Sequence, residues 1–184
     1  MVKLTHATLE RLRDRLRTRG ERPSMILPGP KTPAEVLEAV QIVTEYGALV
    51  EAMFLVMLAD GRVKNVERDV LRGALRVLSN DRVRSTHMES MLDVAARSVA
   101  EEGADERLDV VISKIKDDKA RAEIAYVLAA AVAAADDVIV PEEQAILNRL
   151  AEGLGIDEAR ANALLADLGD GSRASESTKV ASKA

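Results

Sequence analysis

Apolar positions along this chain recur mostly every three or four residues, the spacing of a helix buried along one side. Leu9, Leu12 and Leu16 make a first, narrow stripe within residues 5–19. Pro23, Pro28, Pro30 and Pro33 then rule out a continuing helix, so residues 23–33 read as a linker. Thr32 and Pro33 suit the N-cap and first turn of a second helix that runs to about Tyr46. Residues 48–59, ALVEAMFLVMLA, are apolar except for Glu51 and read as a buried core helix. Asp60-Gly61 makes a turn, and Val70, Leu71, Ala74, Leu75 and Leu78 mark the next amphipathic helix. Ser85 or Thr86 caps another, with Met88, Met91, Leu92, Ala95 and Val99 inside. Leu108, Val111, Ile112 and Ile115 give a stripe after Gly103.

Residues 124–135, IAYVLAAAVAAA, form a second apolar run, broken by Asp136-Asp137. Pro141-Glu142-Glu143 opens a helix with proline in the first turn and acids at the positive end of its dipole. Its buried side is Ile146, Leu147, Leu150 and Leu154, and Gly155 ends it. A last helix is expected from about Asp157 to Leu168. Residues 169–184 hold too few apolar groups to offset their ordering entropy and are expected to be a disordered tail.

Two of these stretches are alike at a constant offset of 76 residues. Asp60 corresponds to Asp136, Val63 to Ile139, Glu67 to Glu143, Val70-Leu71 to Ile146-Leu147 and Leu78 to Leu154. Each is a buried apolar helix, then A-D-[GD]-x-[VI]-x-x-x-E, then an amphipathic helix. An internal duplication of this kind predicts an all-α, pseudo-twofold helical bundle. Val63 and Ile139 are expected to plug their loops into the core.

Composition agrees with helices. The 184 residues are 47% hydrophobic but only 2% aromatic, so Leu, Val, Ile, Ala and Met must build the core. The methionines at 53, 57, 88 and 91 lie at helical spacing and read as core. There is no cysteine, hence no disulfide or thiolate metal site, which is compatible with the cytoplasm. No signal peptide is evident, and no unbroken apolar run reaches the ~18 residues of a membrane span. Charge is uneven: residues 1–22 carry +4 out of a total of -5, leaving -9 on the remainder. An acidic body with a basic arm is not a nucleic-acid-binding pattern. The basic helix reads as an appendage that need not share the main core. Docking to a partner protein, to another copy of the chain or to an anionic membrane surface are the roles it suggests. Its lack of aromatic residues argues against deep insertion and against base stacking.

The paired acidic loops are the candidate chemistry. Taking Gly61 as position 6 of a calcium-binding EF-hand loop places Val56 and Leu58 where oxygen ligands belong. In the second loop Val132 and Ala134 fall there. Neither is a full EF-hand. Asp60, Glu67, Asp136 and Glu143 remain as candidate ligands for a weakly held divalent cation, calcium or magnesium. The rival reading is two turns with acid-capped helices. No nucleotide-binding glycine loop, nucleophile elbow or histidine pair is present, so no enzymatic activity is expected.

The two loops, with Ala59-Asp60-Gly61, Val63 and Glu67 in one and Ala135-Asp136, Ile139 and Pro141-Glu142-Glu143 in the other, resemble those of the TerB-like tellurite-resistance family. The resemblance covers residues 34 to 168. Lys64 and Val140 stand where that family often carries an N-cap Asp, and Asp137 replaces the second turn glycine. The family implies an all-α fold, an acidic surface that binds divalent cations, and a link to resistance against tellurium oxyanions and other stress.

Overall fold

The computed structural model describes residues 6–22 and 32–164. Seven helices follow in order: α1 (His6–Gly20), α2 (Pro33–Met57), α3 (Asn65–Leu78), α4 (Ser85–Glu102), α5 (Ala104–Ile115), α6 (Lys119–Ala133) and α7 (Pro141–Gly153). Residues 158–164 are again helical, capped by Asp157, whose Oδ1 accepts the Arg160 N–H at 2.7 Å. The expected end of that helix at Leu168, and the expected tail, lie outside the described residues. So do linker residues 23–31.

Helix starts follow their local chemistry. At α2 the Thr32 hydroxyl accepts the Glu35 N–H at 3.2 Å while the Glu35 carboxylate accepts the Thr32 N–H at 3.1 Å. This reciprocal pair satisfies two donors that helix geometry leaves free. Asp118 caps α6 by accepting the Arg121 N–H at 3.0 Å. Contrary to expectation, α2 does not stop at Tyr46: it runs unbroken through Gly47 to Met57. The methyl group that Gly47 lacks would meet only Val43 Cγ1, at 3.9 Å, so no close approach calls for a glycine there. A continuous α2 is by length and composition apolar enough to cross a membrane, and the fold buries 61% of its most apolar 18-residue window.

From Leu49 to Met57 every residue of α2 is buried, Glu51 included. This half of α2 and the alanine-rich α6, buried continuously from Ala125 to Ala133, form the centre of the bundle. Helices α3, α4, α5 and α7 pack around them. Met53, Met57, Met88 and Met91 are all core residues. Glu51 is matched by Arg107 of α5, whose Nε and Nη2 reach the two carboxylate oxygens at 2.7 and 3.0 Å. The bidentate geometry supplies the pairing that a buried charge requires.

The position of α1 corrects the expectation of a separable arm. Leu9 and Leu16 are buried in the common core, and Leu12 packs against it. Helix α1 lies across α3 and also touches α6. It crosses α3 so closely that a methyl group on Gly73 would fall 1.8 Å from the Leu16 carbonyl oxygen. One on Gly20 would fall 1.7 Å from that of Asp69. Arg13, nearly buried, donates to the Ala134 carbonyl at 3.1 Å and pairs with Asp137. The basic helix thus meets the acidic body through a specific side chain and two glycines, not through its leucine stripe alone.

Candidate cation centre at the paired acidic turns

Each loop repeats one small set of bonds. Asp60 Oδ1 accepts the Arg62 N–H at 2.9 Å, and Asp136 Oδ1 accepts the Val138 N–H at 3.3 Å. Both are Asx-type turns. Three residues into each following helix, Glu67 accepts the Lys64 N–H at 2.9 Å and Glu143 accepts the Val140 N–H at 3.1 Å. Lys64 and Val140 sit at the N-cap positions and have no side-chain oxygen to offer, so only the glutamate half of a capping box forms. The turn residue is left-handed in both loops: Gly61 at φ 76° and Asp137 at φ 69°. Aspartate is among the few side chains that tolerate this region, and Arg13 of α1 pairs with it.

The expected apolar plugs divide. Ile139 packs against the core, whereas Val63 is exposed.

The turn side chains meet at Lys64. Its Nζ lies 2.7 Å from Asp136 Oδ2, 3.4 Å from Asp60 Oδ2 and 3.5 Å from Glu67 Oε1. One ammonium therefore joins carboxylates of both loops, although Asp136 is 72 residues away in sequence. Asp136 and then the other acids raise the Lys64 pKa, so it stays charged. Asp60 is held below its usual range, first by the Arg62 N–H and also by Lys64.

The two glutamates differ from the aspartates because they are buried, each 1% exposed. Burial pushes Glu67 up, opposed by the N–H and the ammonium of Lys64. Burial pushes Glu143 up to about 7 against the Val140 N–H and the Lys64 charge, with Glu67 and Asp136 adding to the rise. No ammonium reaches Glu143 within bonding distance among the described contacts, so burial is opposed there chiefly by the Val140 N–H.

All four predicted ligands are thus brought to one region, with backbone partners for each. They do not form a ready divalent site. Calcium takes six to eight oxygens and magnesium a near-ideal octahedron. Among the described residues no three His, Cys, Asp or Glu side chains converge closely enough to hold an ion. The residue that sequence reading passed over is Lys64. Its signal was visible as the lysine replacing an N-cap Asp, but its reach to the other loop was not.

Asp60→Asn keeps the oxygen that accepts the Arg62 N–H and loses only the 3.4 Å contact to Lys64. In urea unfolding it should cost no more than the loss of one exposed ion pair does. A loss several times larger would mean that the Asp60 charge, not its turn bond, holds the loop.

Compared with known proteins, the family model described as tellurite resistance protein TerB matches residues 48–166. No curated protein and no solved structure matches the chain.

Proposed function

This chain belongs to the TerB family of tellurite resistance proteins, and from that premise we propose that it supports tellurite and stress resistance as a non-catalytic module that binds another protein. The observation that carries this reading is an apolar stripe that no described residue covers. Val36, Leu37, Val40 and Val43 lie on the first half of α2, which projects beyond the bundle before Ile42 enters the core. Leu37 is 60% and Val40 56% exposed. Contiguous apolar surface of this kind marks a binding face more often than a bare exterior.

Charge narrows the partner. Helix α2 has no basic residue, and Glu35 and Glu38 flank the stripe. At its foot lies a hollow of about 440 Å³ between α2, α4 and α5, floored by Ala48, Met91 and Ala95. Lys114 and Arg121 also line it, beside the paired Glu51 and Arg107. The occupant that fits is an amphipathic helix of another protein. Its basic end would lie along Glu35 and Glu38, one large apolar side chain would enter the hollow, and an acidic end would face Lys114 and Arg121. The acidic turns support this reading less, because their charge is met from within the chain.

The test is the double substitution Leu37→Glu and Val40→Glu in the full chain. Both sites are exposed, so stability should change by no more than about 1 kcal/mol. Cells relying on the variant should tolerate tellurite no better than cells without the chain. Full protection by a stable variant would overturn the binding face. Failure of the unmodified chain to protect would overturn the resistance role itself.

A further inference from the structure

The meeting of three carboxylates on one side-chain nitrogen has a simple electrostatic meaning. Asp60, Glu67 and Asp136 together bring three negative charges within 3.5 Å of a common point. Such a cluster attracts a cation of some kind, or else its acids must take up protons. We infer that the Lys64 ammonium is the resident cation of this centre, and that the paired turns of this chain are therefore closed to divalent ions. Lys64 does what an ion would do: it neutralises acids from both loops and ties the start of α3 to the α6–α7 connection. It stands at the N-cap of α3, anchored by its own N–H to Glu67, so its stem leaves the helix end toward Asp136. A lysine ammonium has three N–H donors, and here three carboxylate oxygens lie within 3.5 Å of it. This conclusion does not rest on the α2 face and would survive its failure.

The vacated point explains what removal should do. Oxygens now 2.7 to 3.5 Å from Nζ need move inward by only about 1 Å to reach the 2.3–2.6 Å of calcium–oxygen contacts. Asp60 and Asp136 are partly exposed and can make their share of that shift, while buried Glu67 stays held by the Lys64 N–H through its other oxygen. Lys64→Met keeps the apolar stem and deletes the charge.

The experiment is thermal unfolding of the full chain in EDTA, in about 10 mM calcium or magnesium chloride, and in sodium chloride of matched ionic strength. The unmodified protein should melt at the same temperature, within about 1 °C, in all of them. Lys64→Met should melt several degrees lower in EDTA and recover at least half of that loss with either divalent ion, but not with sodium. Lys64→Met combined with Asp136→Asn relieves the repulsion that could prevent folding. It should fold and lose most of the recovery. Isothermal titration of the unmodified protein with calcium should show no binding heat. A divalent shift in the unmodified protein equal to that of Lys64→Met would overturn the inference. So would a folded Lys64→Met that melts as the parent does, or one that divalent ions leave unchanged.

Discussion

Replacing Gly73 with alanine should destabilise the protein by about 3 kcal/mol, the upper end of what one overpacked methyl group costs. The added carbon would lie 1.8 Å from the Leu16 carbonyl oxygen, well inside any contact distance. The obstacle is backbone, so no side chain can rotate away, and α1 must lift from α3. For a chain of this size the melting temperature should fall by roughly 10 °C. Removing residues 1–22 entirely should cost more. Burial of Leu9 and Leu16 alone is worth about 3–6 kcal/mol at the usual value for a leucine side chain, and the faces of α3 and α6 beneath them would be exposed. Denaturant unfolding of the shortened chain measures this directly. A truncated protein as stable as the full one would mean that α1 only rests on the surface.

Replacing Glu143 with glutamine should stabilise the protein at alkaline pH. The folded-state value of about 7 lies above the ordinary 4.5 of a glutamate. The folded protein therefore holds a proton that the unfolded chain releases between those two values. Stability from this group is lowest above pH 7 and rises as pH falls toward 4.5, where both states are protonated. At 1.36 kcal/mol per pH unit the full difference is about 3 kcal/mol. Asp60 and Glu123, whose pKa values are lowered, push the opposite way at acid pH. The informative quantity is thus the difference between parent and Glu143→Gln, which should be about 3 kcal/mol at pH 8 and near zero at pH 4.5. Glutamine retains an oxygen for the Val140 N–H, so the capping bond persists. A flat difference across that range, or a variant less stable at pH 8, would show that Glu143 is charged and satisfied.

Much of the fold was legible because it is written in local chemistry. Thr32-Pro33 and Asp157 start helices where their side chains dictate. The 76-residue offset placed Asp60 with Asp136 and Glu67 with Glu143, and the equivalent backbone bonds follow. What was not legible depends on residues distant in sequence. Gly20 and Gly73 carry no local signal of their role, which exists only where two backbones are brought together. Arg13 looked like one of several surface arginines until Asp137, in a left-handed turn far along the chain, met it. Lys64 read as a departure from a motif, because the Asp136 that gives it a purpose lies in the other loop. Gly47 misled in the opposite direction: glycine is a poor helix former, but the burial on either side of it keeps α2 continuous.

The continuity of α2 also bears on how this protein can come apart. Helices α3, α4, α5, α6 and α7 all lean on it, and its second half is sealed from water on every side. The buried side chains of all seven helices form one cluster, and among the described residues there is no second core that could persist once α2 opened. Loosening α2 anywhere between Leu49 and Met57 removes support from both similar halves at once. The amides of that segment can then exchange with solvent only when the whole bundle opens, which makes unfolding a single event shared by two stretches of chain that look separable on paper.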